Sequence, residues 1–143
     1  MAEESWDATL TYVRRRDDLF DMFPLDQILE MDDEGSHDFT VSICEDFCDQ
    51  AEDGIAALER ARQISDIGAL GNHLDGLAAS VGAIRVRDTA QKLKHLGSGK
   101  DENNKEVLMR DQALSRAAKL TYGYREQCKE TIAILRRLAT LGH

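Results

Sequence analysis

The segment "DIGALGNHLDGLAASVG", residues 66–82, shows the helical character of this chain most clearly. Its apolar residues recur every three or four positions, which is the spacing of one face of an α-helix. The opposite face carries asparagine, glycine and alanine rather than the charged side chains that usually cover an exposed helix. We therefore expect an amphipathic helix over residues 66–82 with an unusual outer surface. The inward face comprises Ile67, Leu70, Leu74, Ala78 and Val81.

The same periodicity continues through the chain, which contains one proline. It predicts helices over residues 4–21, 23–32, 38–61 and 66–82, a fifth that stops at residues 97–99, and a sixth over 104–140. The residues expected to face inward on the third and sixth helices are Phe39, Ile43, Phe47, Ala51, Ile55 and Leu58, and Leu114, Ala118, Thr121, Cys128, Ile132 and Leu135. Four long amphipathic helices favour an all-α, antiparallel up-down four-helix bundle with additional short N-terminal helices.

Composition limits the classes of function. A chain of 143 residues suits one domain, residues 1–143, and a net charge of −9 disfavours nucleic acid as a partner. The chain has no long apolar run and an acidic start, so we expect no membrane association, a cytoplasmic or nuclear location and a monomer. Three cysteines in a reducing compartment favour free thiols. Cys44 and Cys48 could form half a zinc site, but no second pair follows, so we expect no metal and no cofactor.

The outer face of the helix over 66–82 carries Asn72, Gly76, Ala79 and Ala83 in one strip. At about 100° per residue, Asn72 lies opposite the apolar face, whereas His73 lies at the edge of that face. Such a strip is smooth enough for another backbone to approach closely. It suits either a surface that docks a partner or a face covered by the N-terminal helices.

Several segments together resemble histidine-containing phosphotransfer (HPt) domains, most closely the fungal and plant phosphorelay intermediates. The similar segments are "ILEMDDEGSHDF" (28–39), "FCDQAED" (47–53), "LGNHLDGLAASVGA" (70–83) and "VGAIRVRDTAQKLKHLG" (81–97). The resemblance runs from about residue 24 to 138. It implies an HPt core over residues 24–140 and a helical N-terminal extension over 1–23.

The family motif, H-x-L-K-G-S-S-x-x-x-G, can be aligned here in one register. Gly76 and Gly82 match its two glycines, and Leu74 matches its leucine. The residue four before Gly76 is Asn72, which therefore occupies the position of the phosphorylated histidine. His73 falls on the variable position, and making it the phosphate acceptor would require deleting one residue and rotating all later residues by about 100°.

Three further positions depart from the motif. Asp75 replaces its lysine, and Leu77 and Ala78 replace its two serines. The resemblance therefore implies a pseudo-HPt protein, in which the scaffold is kept and the phosphate relay is lost. A carboxamide has no basic ring nitrogen comparable with that of histidine, so Asn72 should not accept phosphate.

The implied partners are the receiver domains of response regulators or hybrid histidine kinases. The expected docking face comprises Ile28, Met31, Asp32, Gln50, Asn72, His73, Asp75, Gly76, Ala79, Arg85 and Arg87, with no catalytic residue. The two arginines would steer an acidic receiver site. Two alternatives stay open: an active phosphotransfer protein that uses His73, and a helical adaptor that binds an unrelated protein.

Overall fold

The computed structural model describes residues 5–143, and most of them are helical. The helices are α1 (Trp6–Arg15), α2 (Met22–Glu30), α3 (Asp38–Arg60), α4 (Ile64–Val81), α5 (Ile84–Gly97) and α6 (Arg110–Gly142). This confirms the predicted all-α class. Residues 1–4, which include the first position of the helix expected over 4–21, lie outside the described residues.

Helices α3 to α6 form the four-helix bundle. Each packs mainly against two others, so that α3 contacts α4 and α6, and α5 contacts α4 and α6, with a smaller contact between α4 and α6. Ion pairs from Glu59 to Arg125 and from Asp49 to Arg136 show that α3 and α6 run antiparallel. Helix α1 packs on α6, whereas α2 packs on α3 and α4.

Glycines bring α4 and α5 into backbone contact. A Cβ atom at Gly71 would lie 2.6 Å from the backbone nitrogen of Lys94, and one at Gly68 would lie 2.9 Å from the Cα atom of Gly97. Larger side chains at these positions would push the two helices apart. The close packing of α4 on α5 therefore depends on glycine at positions 68 and 71.

The core follows a slightly different face of α3 and α6 from the one predicted. Phe47, Ala51 and Leu58 are buried as expected, but Phe39 and Ala118 are exposed, and their predicted burial was wrong. A step of four residues overshoots one turn by about 40°, so a stack built on such steps drifts off the buried face. The other expected positions are buried (Ile67, Leu74, Ala78, Val81, Cys128, Ile132, Leu135) or half-buried (Ile43, Ile55, Leu70, Leu114, Thr121).

The chain after α1 forms a turn and joins the bundle, which the periodicity did not predict. Helix α1 ends at Arg15, well short of the predicted end. The N–H of Asp21 donates to the carbonyl of Gly82 (2.8 Å), and the N–H of Ile84 donates to the carbonyl of Leu19 (2.9 Å). These bonds satisfy backbone groups at the α4–α5 turn, and they make the segment between α1 and α2 part of the bundle.

Helix α6 begins later than predicted because a structured loop precedes it. The carboxylate of Asp101 accepts the N–H groups of Asn103 (3.1 Å) and Lys105 (2.8 Å), an arrangement that competes with helix formation. These bonds, that from Lys105 most strongly, lower the pKa of Asp101. Asn104 adopts a left-handed conformation (φ 61°), and α6 starts at Arg110.

Candidate functional site

The outward pole of α4 is a glycine, with Asn72 and His73 on either side of it. The buried residues of α4 are Ile67, Gly71, Leu74, Ala78 and Val81. At about 100° per residue, the direction opposite their mean passes through Gly76, with Asn72 about 40° away on the α5 side and His73 about 60° away on the α3 side. Both side chains are exposed. The sequence had indicated that His73 lies at the edge of the apolar face. In the structure its side chain is exposed, on the outward side of that edge.

The outer strip of α4 divides into two halves. Gly76 is exposed, and a Cβ atom there would meet nothing within 4 Å. Ala79 is half-buried, and Ala83 is 1% exposed because α4 ends before it and Ala83 pairs with Phe20. The expected position of Ala83 on the exposed strip was therefore wrong. We call Asn72 with Gly76 the open half, and residues 79–83 the covered half.

Helix α2 borders the covered half and contributes an exposed apolar rim. Phe23 and Met31 are each 68% exposed. A shallow groove of about 750 Å³ lies between this helix and residues Ala79 and Ser80 of α4. Ile28 lines the same groove but is only 9% exposed, so most of its side chain belongs to the core.

Asp32 serves α3 rather than an open surface. Its carboxylate accepts the backbone N–H of Thr40 (3.0 Å) and the hydroxyl of Thr40 (2.5 Å). It thereby ties the loop after α2 to the first turn of α3, where unpaired N–H groups favour a negative partner. Gln50, on the same helix, is exposed. Of these two predicted contact residues, Gln50 is the one whose side chain is not already used.

Both predicted arginines of α5 are engaged within the chain. Arg87 contacts Asp75 through its Nε atom at 3.0 Å, and Arg85 reaches Asp18 at 3.4 Å. The Asp75 side chain is only 17% exposed. Its negative charge is therefore compensated by Arg87, which weakens the repulsion that a carboxylate in place of the motif lysine would exert on an anionic partner.

Lys94 is a neighbour of this site that the sequence reasoning missed. Its backbone nitrogen lies against Gly71, the residue just before Asn72, and its side chain is exposed. The spacing along α5 could have identified it. Lys94 follows Arg87 by seven residues, which is about two helical turns, so the two residues lie on the same face of α5. Recognising it required knowing which face of α5 contacts α4.

The three cysteine thiols are buried and do not reach this surface. Cys44, Cys48 and Cys128 are buried and free. Burial raises the pKa of Cys44 and of Cys48 to about 12, and that of Cys128 to about 11. They are therefore protonated near neutral pH and pack as small apolar groups. Within residues 5–143, no group of three or more His, Cys, Asp or Glu side chains is placed to hold a metal ion.

The aromatic side chains Trp6, Tyr122 and Tyr124 have different surroundings. Trp6 stacks on His37 with ring centroids 3.9 Å apart, and Tyr124 is buried in the core. Tyr122 is 69% exposed on α6.

Among the helices of residues 5–143, none combines the length and the apolar character needed to cross a membrane.

Comparison with known proteins links the chain to phosphorelay signalling. No family model matches it. Over 83 residues, 56% of its length, it is 36% identical to the protein named multistep phosphorelay regulator 1 of Schizosaccharomyces pombe. The matched region is 28% of the length of that relative. The similarity supports a relation to phosphorelay proteins.

Proposed function

We propose that this chain docks on receiver domains in a multistep phosphorelay and does not carry phosphate at residue 72. It would act as a pseudo-phosphotransfer modulator, which occupies the receiver surface in competition with an active phosphotransfer protein. The observation that carries this proposal is the open half of α4. There Asn72, at the motif position, is exposed beside Gly76, where a Cβ atom would have no neighbour within 4 Å.

The loss of phosphate transfer follows from the chemistry of the side chain. A relay residue needs a nucleophilic nitrogen that is unprotonated near neutral pH and that can later release the phosphoryl group. Imidazole, with a pKa near 6.5, has such a nitrogen. The nitrogen of Asn72 belongs to a carboxamide, and its lone pair is delocalised into the carbonyl group. Asn72 can donate and accept hydrogen bonds across an interface, but it offers no site for a phosphoryl group.

Retained docking is supported by the shape and composition of the surface. Exposed glycine in a helix costs about 1 kcal/mol relative to alanine, so an open glycine at the pole of α4 needs a reason outside the stability of the helix. A close-approaching partner supplies one. Exposed Phe23 and Met31 lie along the neighbouring groove, and large apolar side chains of this kind commonly form the centre of interfaces.

The direct test is a titration of the chain with receiver domains from the source organism, followed by calorimetry or fluorescence anisotropy. We expect saturable binding to at least one receiver, and we expect Gly76→Trp to weaken it by at least about tenfold. Gly123→Trp is the matched control, because a Cβ atom at Gly123 on α6 also meets nothing within 4 Å. Circular dichroism would show that both variants keep their helices.

Two results would contradict the docking proposal. One is the absence of binding to every receiver domain tested. The other is equal affinity for the wild type and for Gly76→Trp. Either result would favour the helical adaptor, whose partner contacts a different surface.

A second candidate function has one observation in its favour. The ring of His73 is exposed on the α3 side of Gly76, so a receiver could reach it without unfolding α4. In this alternative the chain is an active phosphotransfer protein whose acceptor is His73. Phosphate incorporation into wild type and His73→Gln separates it from the pseudo-HPt proposal.

A further inference from the structure

Helix α5 carries four arginine and lysine side chains, and they are not equivalent. Arg85 pairs with Asp18. The remaining three are Arg87, which pairs with Asp75 at 3.0 Å, Lys92, which pairs with Asp88 at 3.1 Å, and Lys94. Within residues 5–143, Lys94 makes no ion pair. Its charge is therefore the one on this helix that no carboxylate of the described chain compensates.

The position of Lys94 connects this charge to the open half. Its backbone nitrogen would lie 2.6 Å from a Cβ atom on Gly71, so α5 touches α4 at this point. Asn72 follows Gly71 and lies on the α5 side of the outward pole. The flexible side chain of Lys94 is exposed and starts beside the turn that presents Asn72.

The surroundings make one uncompensated cation significant. The whole chain carries a net charge of −9, so an acidic partner meets general repulsion. The nearest carboxylate on the α5 side of α4, Asp75, is already held by Arg87. Glu102, in the loop after α5, is paired with Arg116 at 2.9 Å. A partner that approaches the open half therefore encounters a local positive charge on an otherwise acidic molecule.

We propose that Lys94 is the main electrostatic contact of the open half, and that the docked protein presents an acidic patch opposite Asn72. This inference rests on the proposed docking function and adds the chemistry of the partner. Lys94 supplies, from α5, the positive charge that α4 lacks because Asp75 stands at the motif lysine. Arg85 and Arg87, which the sequence singled out, are instead paired within the chain with Asp18 and Asp75.

The test compares Lys94→Gln with Lys92→Gln, two neutralisations on the same helix. Association rates with a binding receiver domain would be measured by stopped-flow fluorescence at about 20 mM and about 300 mM salt, which bracket strong and weak screening. We expect Lys94→Gln to slow association about fivefold at low salt, with a much smaller effect at high salt. Lys92 points away from α4, so Lys92→Gln should leave the association rate within about twofold of the wild-type rate.

A charge reversal sharpens the result. Lys94→Glu should slow association by more than about tenfold at low salt, and circular dichroism should show an intact fold. Receiver binding that is the same in Lys94→Gln, Lys94→Glu and Lys92→Gln would overturn this inference while leaving the docking proposal in place. Failure of the wild type to bind any receiver would overturn the docking proposal and this inference together.

Discussion

The open and covered halves of the α4 strip are built from similar residues, yet they serve different purposes. In the covered half, Gly82 and Ala83 are buried because the segment between α1 and α2 pairs with the α4–α5 turn. In the open half, Gly76 is exposed with empty space around it. Within one strip, small residues are therefore explained in two ways: close packing requires them in the covered half, whereas no neighbour within the chain requires them in the open half. Substitutions that add a single carbon should separate these causes.

The largest effect is expected in the covered half, from Gly82→Ala. Gly82 has φ 71°, and a Cβ atom there would collide with the carbonyl oxygen of Asp21. We expect the free energy of unfolding to fall by about 3 kcal/mol, because left-handed strain and steric overlap add together. Urea denaturation measures this loss.

Gly35→Ala is the matched control for that strain. Gly35 has φ 78°, but a Cβ atom there would meet nothing within 4 Å. Its substitution should cost only about 1 to 2 kcal/mol, the conformational part alone. Equal losses in the two variants would show that contact with Asp21 contributes nothing, and that the covered half is looser than its backbone hydrogen bonds imply.

In the open half the sign should reverse. Gly76→Ala should raise the free energy of unfolding by up to about 1 kcal/mol, because alanine favours the helix and the added carbon meets no neighbour. Gly71→Ala, five residues earlier on the same helix, should lower it because its Cβ would lie 2.6 Å from the backbone of Lys94. A loss of stability in Gly76→Ala would mean that the open half is covered after all.

The smallest effect concerns the ion pair at the border of the open half. A double-mutant cycle with Asp75→Asn and Arg87→Gln should give a coupling of about 0.5 kcal/mol, since the Arg87 side chain is 53% exposed. The coupling should shrink as salt is raised. A coupling near zero at low salt would indicate that Arg87 does not compensate Asp75, and that an uncompensated negative charge remains at the border of the open half.

The sequence predicted the fold well because helical periodicity reports which face is apolar. It placed α3 and α4 within a few residues of their observed ends, and it identified the glycine at the pole of α4 as part of the outer strip. It did not predict the course of residues 17–21, because backbone pairing with a distant turn leaves no periodic pattern. The loop before α6 was missed for a similar reason, since Asp101 organises it through local hydrogen bonds.

The candidate site was predictable only in part. The spacing of α4 alone placed Asn72 and Gly76 on the outer strip, but it put His73 at the edge of the apolar face, whereas the structure shows its side chain exposed. Contacts between helices decide which charged side chains are paired. The sequence therefore predicted neither the pairing of Asp75 with Arg87 nor the absence of an ion pair at Lys94 within residues 5–143. Asp32 likewise was expected on the docking face, although its carboxylate binds the first turn of α3 through Thr40.

Phosphate incorporation tests the central claim most directly. The chain would be incubated with a receiver domain phosphorylated on its aspartate, and acid-labile phosphate would be measured on wild type, His73→Gln and Asn72→His, with an active phosphotransfer protein as the positive control. The account predicts no label on wild type or on His73→Gln, and label on Asn72→His. Label on wild type that disappears in His73→Gln would contradict it, because the acceptor would then be the neighbouring imidazole.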